Sequence, residues 1–86
     1  MAKTIKLHNG ETFTSKRLLV EVLSLPPQGC NFNDMRRRMK VMDAIEAADG
    51  ELALEDADFE LLKGCFNSFP FRLVHKDIMA VGETLA

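Results

Sequence analysis

The chain has no tryptophan, no tyrosine and only two cysteines among its 86 residues. Cys30 and Cys65 lie 35 positions apart, with neither a C-x2-C pair nor the density of a disulfide scaffold. They read as two buried thiols in a reducing compartment. Long apolar runs are missing as well: none approaches the roughly 20 residues that cross a bilayer, which excludes a membrane-spanning helix. The opening Met1-Ala2-Lys3-Thr4-Ile5-Lys6 has no apolar leader core, so the expected setting is cytoplasmic. Charge of one sign is lacking too, the net value being -2.

What is present suffices for a core. Leu, Ile, Val and Phe make up 25 of the 86 residues, above the level at which a chain stays disordered for want of apolar surface. A core this small leaves a stability margin of only a few kcal/mol, so a partner or self-association is expected to add to it. No internal repeat, low-complexity tract or linker breaks the sequence, and one small domain is expected over residues 1–86.

The small net charge conceals an asymmetry. Residues 1–42 carry eight Lys or Arg against three acids, or +5, and the remainder carries three against ten, or -7. Between Asp43 and Glu60 there are eight acids and no base. A protein that wraps nucleic acid over its whole surface is thereby excluded; any such contact is local.

Local patterns predict an α+β domain: a small antiparallel sheet packed with three main helices. Thr4-Ile5-Lys6-Leu7 alternates, and Asn9-Gly10 before Glu11-Thr12-Phe13 suits a type I′ turn, so an N-terminal hairpin is expected. Thr14 or Ser15 caps a first helix with Leu18, Leu19, Val22 and Leu23 inward, stopped by Pro26-Pro27. Asn31 caps a second helix running to about Ala48, with Gly50 suited to the left-handed conformation at its end. Short strands are expected near 51–54 and 71–74. Between them Phe59, Leu62, Cys65, Phe66 and Phe69 share one side of a third helix, with Gly64 on the opposite side. Asp77 is placed as the cap of a short last helix with Ile78, Val81 and Leu85 inward.

The most unusual segment is Met35-Arg36-Arg37-Arg38-Met39-Lys40-Val41-Met42. On a helix Met35, Met39, Met42 and Ile45 share one side, and Arg36, Arg37 and Lys40 form a basic stripe on another. A methionine stripe is more often core than an adaptable surface for partner helices, and a basic stripe more often a solvated face than a binding patch. Arg38 falls between Met42 and Ile45, among apolar neighbours, where a guanidinium must reach water or a carboxylate. An ion pair with the acidic run, or a place at a subunit interface, is expected for it.

Signals for chemistry are weak. His8, Cys30, Cys65 and His75 form no zinc-ligand pair, and there is no calcium loop, phosphate cradle or nucleophile elbow. Cys65 with His75 is the one conceivable nucleophile and base, and Cys65 lies on an apolar face that disfavours a thiolate. The expectation is a non-enzyme, with no catalytic residue, metal or cofactor.

Asn9-Gly10, Pro26-Pro27-Gln28-Gly29, Asn33-Asp34-Met35-Arg36-Arg37-Arg38-Met39 and Leu54-Glu55-Asp56-Ala57-Asp58-Phe59-Glu60-Leu61-Leu62-Lys63 together resemble small uncharacterised proteins of tailed bacteriophages and prophages. The resemblance implies a bacterial cytoplasm or a phage particle as the setting and brings no catalytic residues. The expected function is a protein-protein interaction module acting in particle assembly or on a host protein, with Met35, Arg36, Arg37, Arg38, Met39 and Lys40 as its contact residues. The alternative is a small nucleic-acid-binding regulator that uses the basic helix 35–48.

Overall fold

A computed structural model describes residues 2–85. The alternation Thr4-Ile5-Lys6 forms strand β1 (Ala2–Lys6), and Glu51-Leu52-Ala53-Leu54-Glu55 forms β2 (Glu51–Glu55). The two pair antiparallel, with Ile5 opposite Leu52 and Lys3 opposite Leu54. Side chains directly opposite share a face of the sheet, so Ile5, Leu52 and Leu54 turn inward together and all three are buried. Lys3 on the same face lays its ammonium over the Phe59 ring, 4.7 Å from the centroid.

The helices are α1 (Ser15–Ser24), α2 (Phe32–Ala47), α3 (Asp56–Ser68) and α4 (Lys76–Glu83); α2 and α3 pack against the strands, α1 against α2 and α3, and α4 against α1. Their starts follow local chemistry. The Thr14 hydroxyl accepts from the Arg17 amide and the Asn31 side-chain Oδ1 from the Asp34 amide, each satisfying a helix-end donor. Their apolar faces meet in one cluster built on Leu19, Val22 and Leu23 of α1, Val41 and Ile45 of α2, Leu62 of α3 and Val81 of α4. Cys65 and Phe69 pack at its margin. The α+β class, the inward residues of α1, α3 and α4, and the strand at 51–54 all agree with the sequence reading.

Three local expectations are corrected. The N-terminal hairpin does not form: β2, not residues 11–13, takes the edge of β1, and the Leu7 amide continues the pairing to the Gly50 carbonyl at 2.9 Å. Residues 9–14 instead close a small loop through an Asn9–Thr14 bridge and a Gly10 N–H to Phe13 carbonyl bond. Gly10 does not take the positive φ of a type I′ turn; Gly29 and Gly50 do. The segment 71–74 is not a strand. Phe71 is drawn into a ring cluster with Phe66 and Phe69, at centroid distances of 5.1 and 5.0 Å. The chain bends beyond it and leaves Val74 97% exposed. The cap of α4 is His75, whose Nδ1 accepts the Asp77 amide, and not Asp77 itself.

Candidate functional site

α1 and α2 lie antiparallel. The Lys16 ammonium at the start of α1 donates to the Glu46 carbonyl near the end of α2, and Arg38, midway along α2, reaches Leu23 near the end of α1. At 1.5 Å per residue the ten residues of α1 span roughly 15 Å and the sixteen of α2 roughly 24 Å. The first turn and a half of α2 therefore projects past α1 with nothing from that helix over it.

Position along and around α2 decides the fate of the methionines. Met42, beside Val41 and Ile45, packs against the core, whereas Met35 and Met39 are 49% and 50% exposed, and Phe32 at the first helical position is 70% exposed. The expected core stripe is thus half core and half surface. Met35, Met39 and Met42 also line an apolar hollow of about 420 Å³ with Leu23, Pro26 and Cys30. Phe32 is the site residue that periodicity missed: it stands at the very start of the helix, and its polar neighbours Asn31 and Asn33 hide the pattern. Its signal is the spacing Phe32, Met35, Met39, one apolar side of a helix.

The basic residues divide. Arg36 is exposed and holds its guanidinium 5.8 Å from the centroid of the Phe32 ring. Arg37 is exposed too, and among the described residues neither arginine forms an ion pair. Lys40 lies 3.4 Å from Asp58 of α3, one link between the basic and the acidic half, but its side chain is largely in solvent and the contact contributes little. Asp43 and Glu46 are exposed further along α2, so the positive face turns negative toward the end of the helix.

Arg38 does not pair with the acidic run, the first of the two places expected for it. Its Nε donates to Asp34 Oδ2 at 2.8 Å, one turn back on the same helix, and its NH1 donates to the Leu23 carbonyl at 3.0 Å. Desolvation pulls its pKa down, but the hydrogen bond to Asp34 and the charges around it prevail, and the guanidinium stays above its ordinary value. The last carbonyls of a helix lack partners within it and carry the negative end of the dipole. Arg38 therefore closes the end of α1 from outside, a packing role and not a free contact residue. The same guanidinium acts on Cys65, whose thiol is nevertheless pushed up by burial, an environment opposite to that of a reactive cysteine.

A second polar cluster was not foreseen. The buried Asp77 carboxylate accepts the Thr12 and Phe13 amides on Oδ2 at 3.0 and 3.1 Å, and its Oδ1 lies 3.1 Å from His8 Nε2. These bonds hold the carboxyl down to about 2, the His8 bond contributing most. Ser15 is buried beside it, but its hydroxyl accepts the His8 amide at 2.7 Å and does not meet an imidazole nitrogen. The arrangement lacks the nucleophile-to-base bond of a hydrolase and ties the loop after β1 to the start of α4. Among the described residues no group of three or more His, Cys, Asp or Glu is placed to hold a metal ion, and no helix is long and apolar enough to cross a membrane.

The chain matches no family model, no curated protein and no solved structure.

Proposed function

We propose that the protein is a non-enzymatic interaction module whose outward α2 face docks a protein, in particle assembly or on a host protein in a bacterial cytoplasm. The observation that carries this reading is the exposed apolar run Phe32, Met35 and Met39 along one side of α2, starting where that helix overhangs α1 and bordered by Arg36. A small domain that leaves a phenylalanine and two flexible methionines side by side in water has kept a contiguous apolar patch it did not need for its core. Arg36 on its border adds the residue type enriched in docking hot spots.

The test is the native mass of the assembly recovered with the tagged chain from bacterial cells, compared with that of Met35→Asp/Met39→Asp. A complex heavier than the 9.7 kDa chain is expected for the native protein, with the variant folded and alone. A folded variant that keeps the same assembly would overturn the reading.

The second reading, a nucleic-acid-binding regulator on the same helix, draws on Arg36 and Arg37 having no carboxylate partner among the described residues. Asp43 and Glu46, exposed on the same helix, work against it by repelling phosphates.

A further inference from the structure

We infer that the occupant of the α2 face is a second copy of this chain, bound antiparallel through the same helix about a two-fold axis that passes between Met39 and Lys40. This deepens the docking reading and rests on it.

The inference comes from the order of side chains along the exposed side. From its start the side reads Phe32, Arg36, Met39, Asp43, Ala47, at steps of four, three, four and four, all on one strip of the helix. All five are exposed. A basic residue and an acidic residue stand at equal distances on either side of the midpoint, and so do the largest and the smallest apolar residues.

A two-fold axis at that midpoint reverses the strip onto itself. Arg36 then faces Asp43 of the second copy, and Asp43 faces Arg36, which gives two equivalent pairs. Neither residue has an ion pair among the described residues of its own chain, so none is broken to form them. Phe32 comes over Ala47, where a large ring meets a position without bulk, and the two Met39 side chains meet near the axis with the Lys40 stems beside them. A parallel arrangement would instead put Arg36 against Arg36 and Asp43 against Asp43.

The charge pairs do not depend on a particular crossing angle. Arg36 and Asp43 lie within about one helical turn of the axis, roughly 5 Å along the helix, so they remain in reach in either common class of helix packing. The Phe32–Ala47 contact is roughly twice as far out and needs the shallower crossing. Nothing from α1 obstructs the approach at the Phe32 end, where α2 overhangs.

Sedimentation of the purified chain from micromolar to millimolar concentration tests the inference, with Arg36→Glu, Asp43→Arg and the double variant carrying both changes. The native mass is expected to rise toward twice 9.7 kDa. Each single change puts like charges opposite at two sites and is expected to weaken self-association about tenfold or more. The double variant exchanges the signs and is expected to return to within about threefold of the native affinity. Circular dichroism of each variant verifies its fold, and both positions are exposed. A native chain that stays at one chain's mass at every concentration would overturn self-pairing, and so would a double variant no better than the singles. In the first case the docking reading is still decided separately, by the mass recovered from cells with and without Met35→Asp/Met39→Asp.

Discussion

Asp77 accepts the backbone N–H of Phe13 across 64 positions of sequence, at 3.1 Å, and this bond joins the first loop of the chain to its last helix. The Thr12 amide and His8 Nε2 complete the hold on the same carboxylate. The knot stands where a hairpin was expected, because amides that a second strand would pair with β1 are given to a carboxylate instead. It leaves α2 untouched, so the end of the molecule that closes on itself and the face that stays open are separate.

The Asp77 knot sets a limit on acid stability. A carboxyl that titrates at about 2 in the folded chain, against an ordinary value of 3.8, favours folding through its ionised form. That contribution is complete above the ordinary value and is lost as pH falls through about 2. Asp77→Asn is expected to melt below the native chain at neutral pH. The gap in Tm should hold down to about pH 4 and narrow between about pH 4 and pH 2. Thermal melts followed by circular dichroism across that range provide the check, and a gap that does not change with pH would refute the assignment.

The same substitution is expected to act with opposite sign at two glycines. A Cβ on Gly10 would run into the Asp77 carboxylate, which is fixed by its hydrogen bonds and cannot swing aside. A Cβ on Gly64, inside α3 and exposed, meets nothing within 4 Å. Gly10→Ala should destabilise the fold by about 1–3 kcal/mol through overpacking. Gly64→Ala should stabilise it by about 1 kcal/mol through helix propensity. Urea unfolding of the two variants measures both.

What the sequence disclosed and what it withheld divide by the range of the determining interaction. Leu18, Leu19, Val22 and Leu23, and Phe59, Leu62 and Phe66, announce their helices because a helix reads its own neighbours three and four positions away. Thr14 and Asn31 announce their caps for the same reason. The hairpin failed because the competitor for the edge of β1 lies 45 or more positions downstream in β2. Asn9-Gly10 carries a strong local turn preference, but it states nothing about Asp77. In α2 the wheel put the methionines together correctly and was silent on where the helix outruns its neighbour. That depends on α1 being shorter, and it leaves Met35 outside while Met42 packs against the core. Arg38 was singled out for its apolar setting, while its partner Leu23 is a backbone carbonyl, which no pattern of side chains displays.

Arg38 is expected to matter for stability more than for docking. Arg38→Ala leaves the Leu23 carbonyl and Asp34 without their charged donor in a partly buried place, and should cost about 1–3 kcal/mol. Arg38→Lys should recover only part of this, because one ammonium does not reproduce a fork that serves a carboxylate with one nitrogen and a carbonyl with another. By contrast, Arg37→Ala, at an exposed position with no ion pair among the described residues, should change stability by less than about 0.5 kcal/mol. Chemical denaturation of the three variants separates these outcomes. Equal losses for Arg37→Ala and Arg38→Ala would refute the closure of α1 by Arg38.

The sign pattern along α2 also decides between a protein and a nucleic acid as its ligand. Phosphates arrive at even spacing and reward cations, and each one neutralised steepens the salt dependence of binding by nearly one unit in the log-log slope. On α2, Arg36 and Arg37 have no ion pair among the described residues and Lys40 leans to Asp58, while Asp43 and Glu46 occupy the exposed end of the same helix. At most about three phosphates can be met before the acids are reached, too few for tight binding at physiological salt. Duplex and single-stranded DNA titrated at low ionic strength should therefore give weak binding, lost on raising the salt, with a slope no steeper than about -3. Asp43→Lys should strengthen it, while the same change disrupts docking on the α2 face. Tight binding by the native chain that survives physiological salt would establish the nucleic-acid reading and displace the protein one.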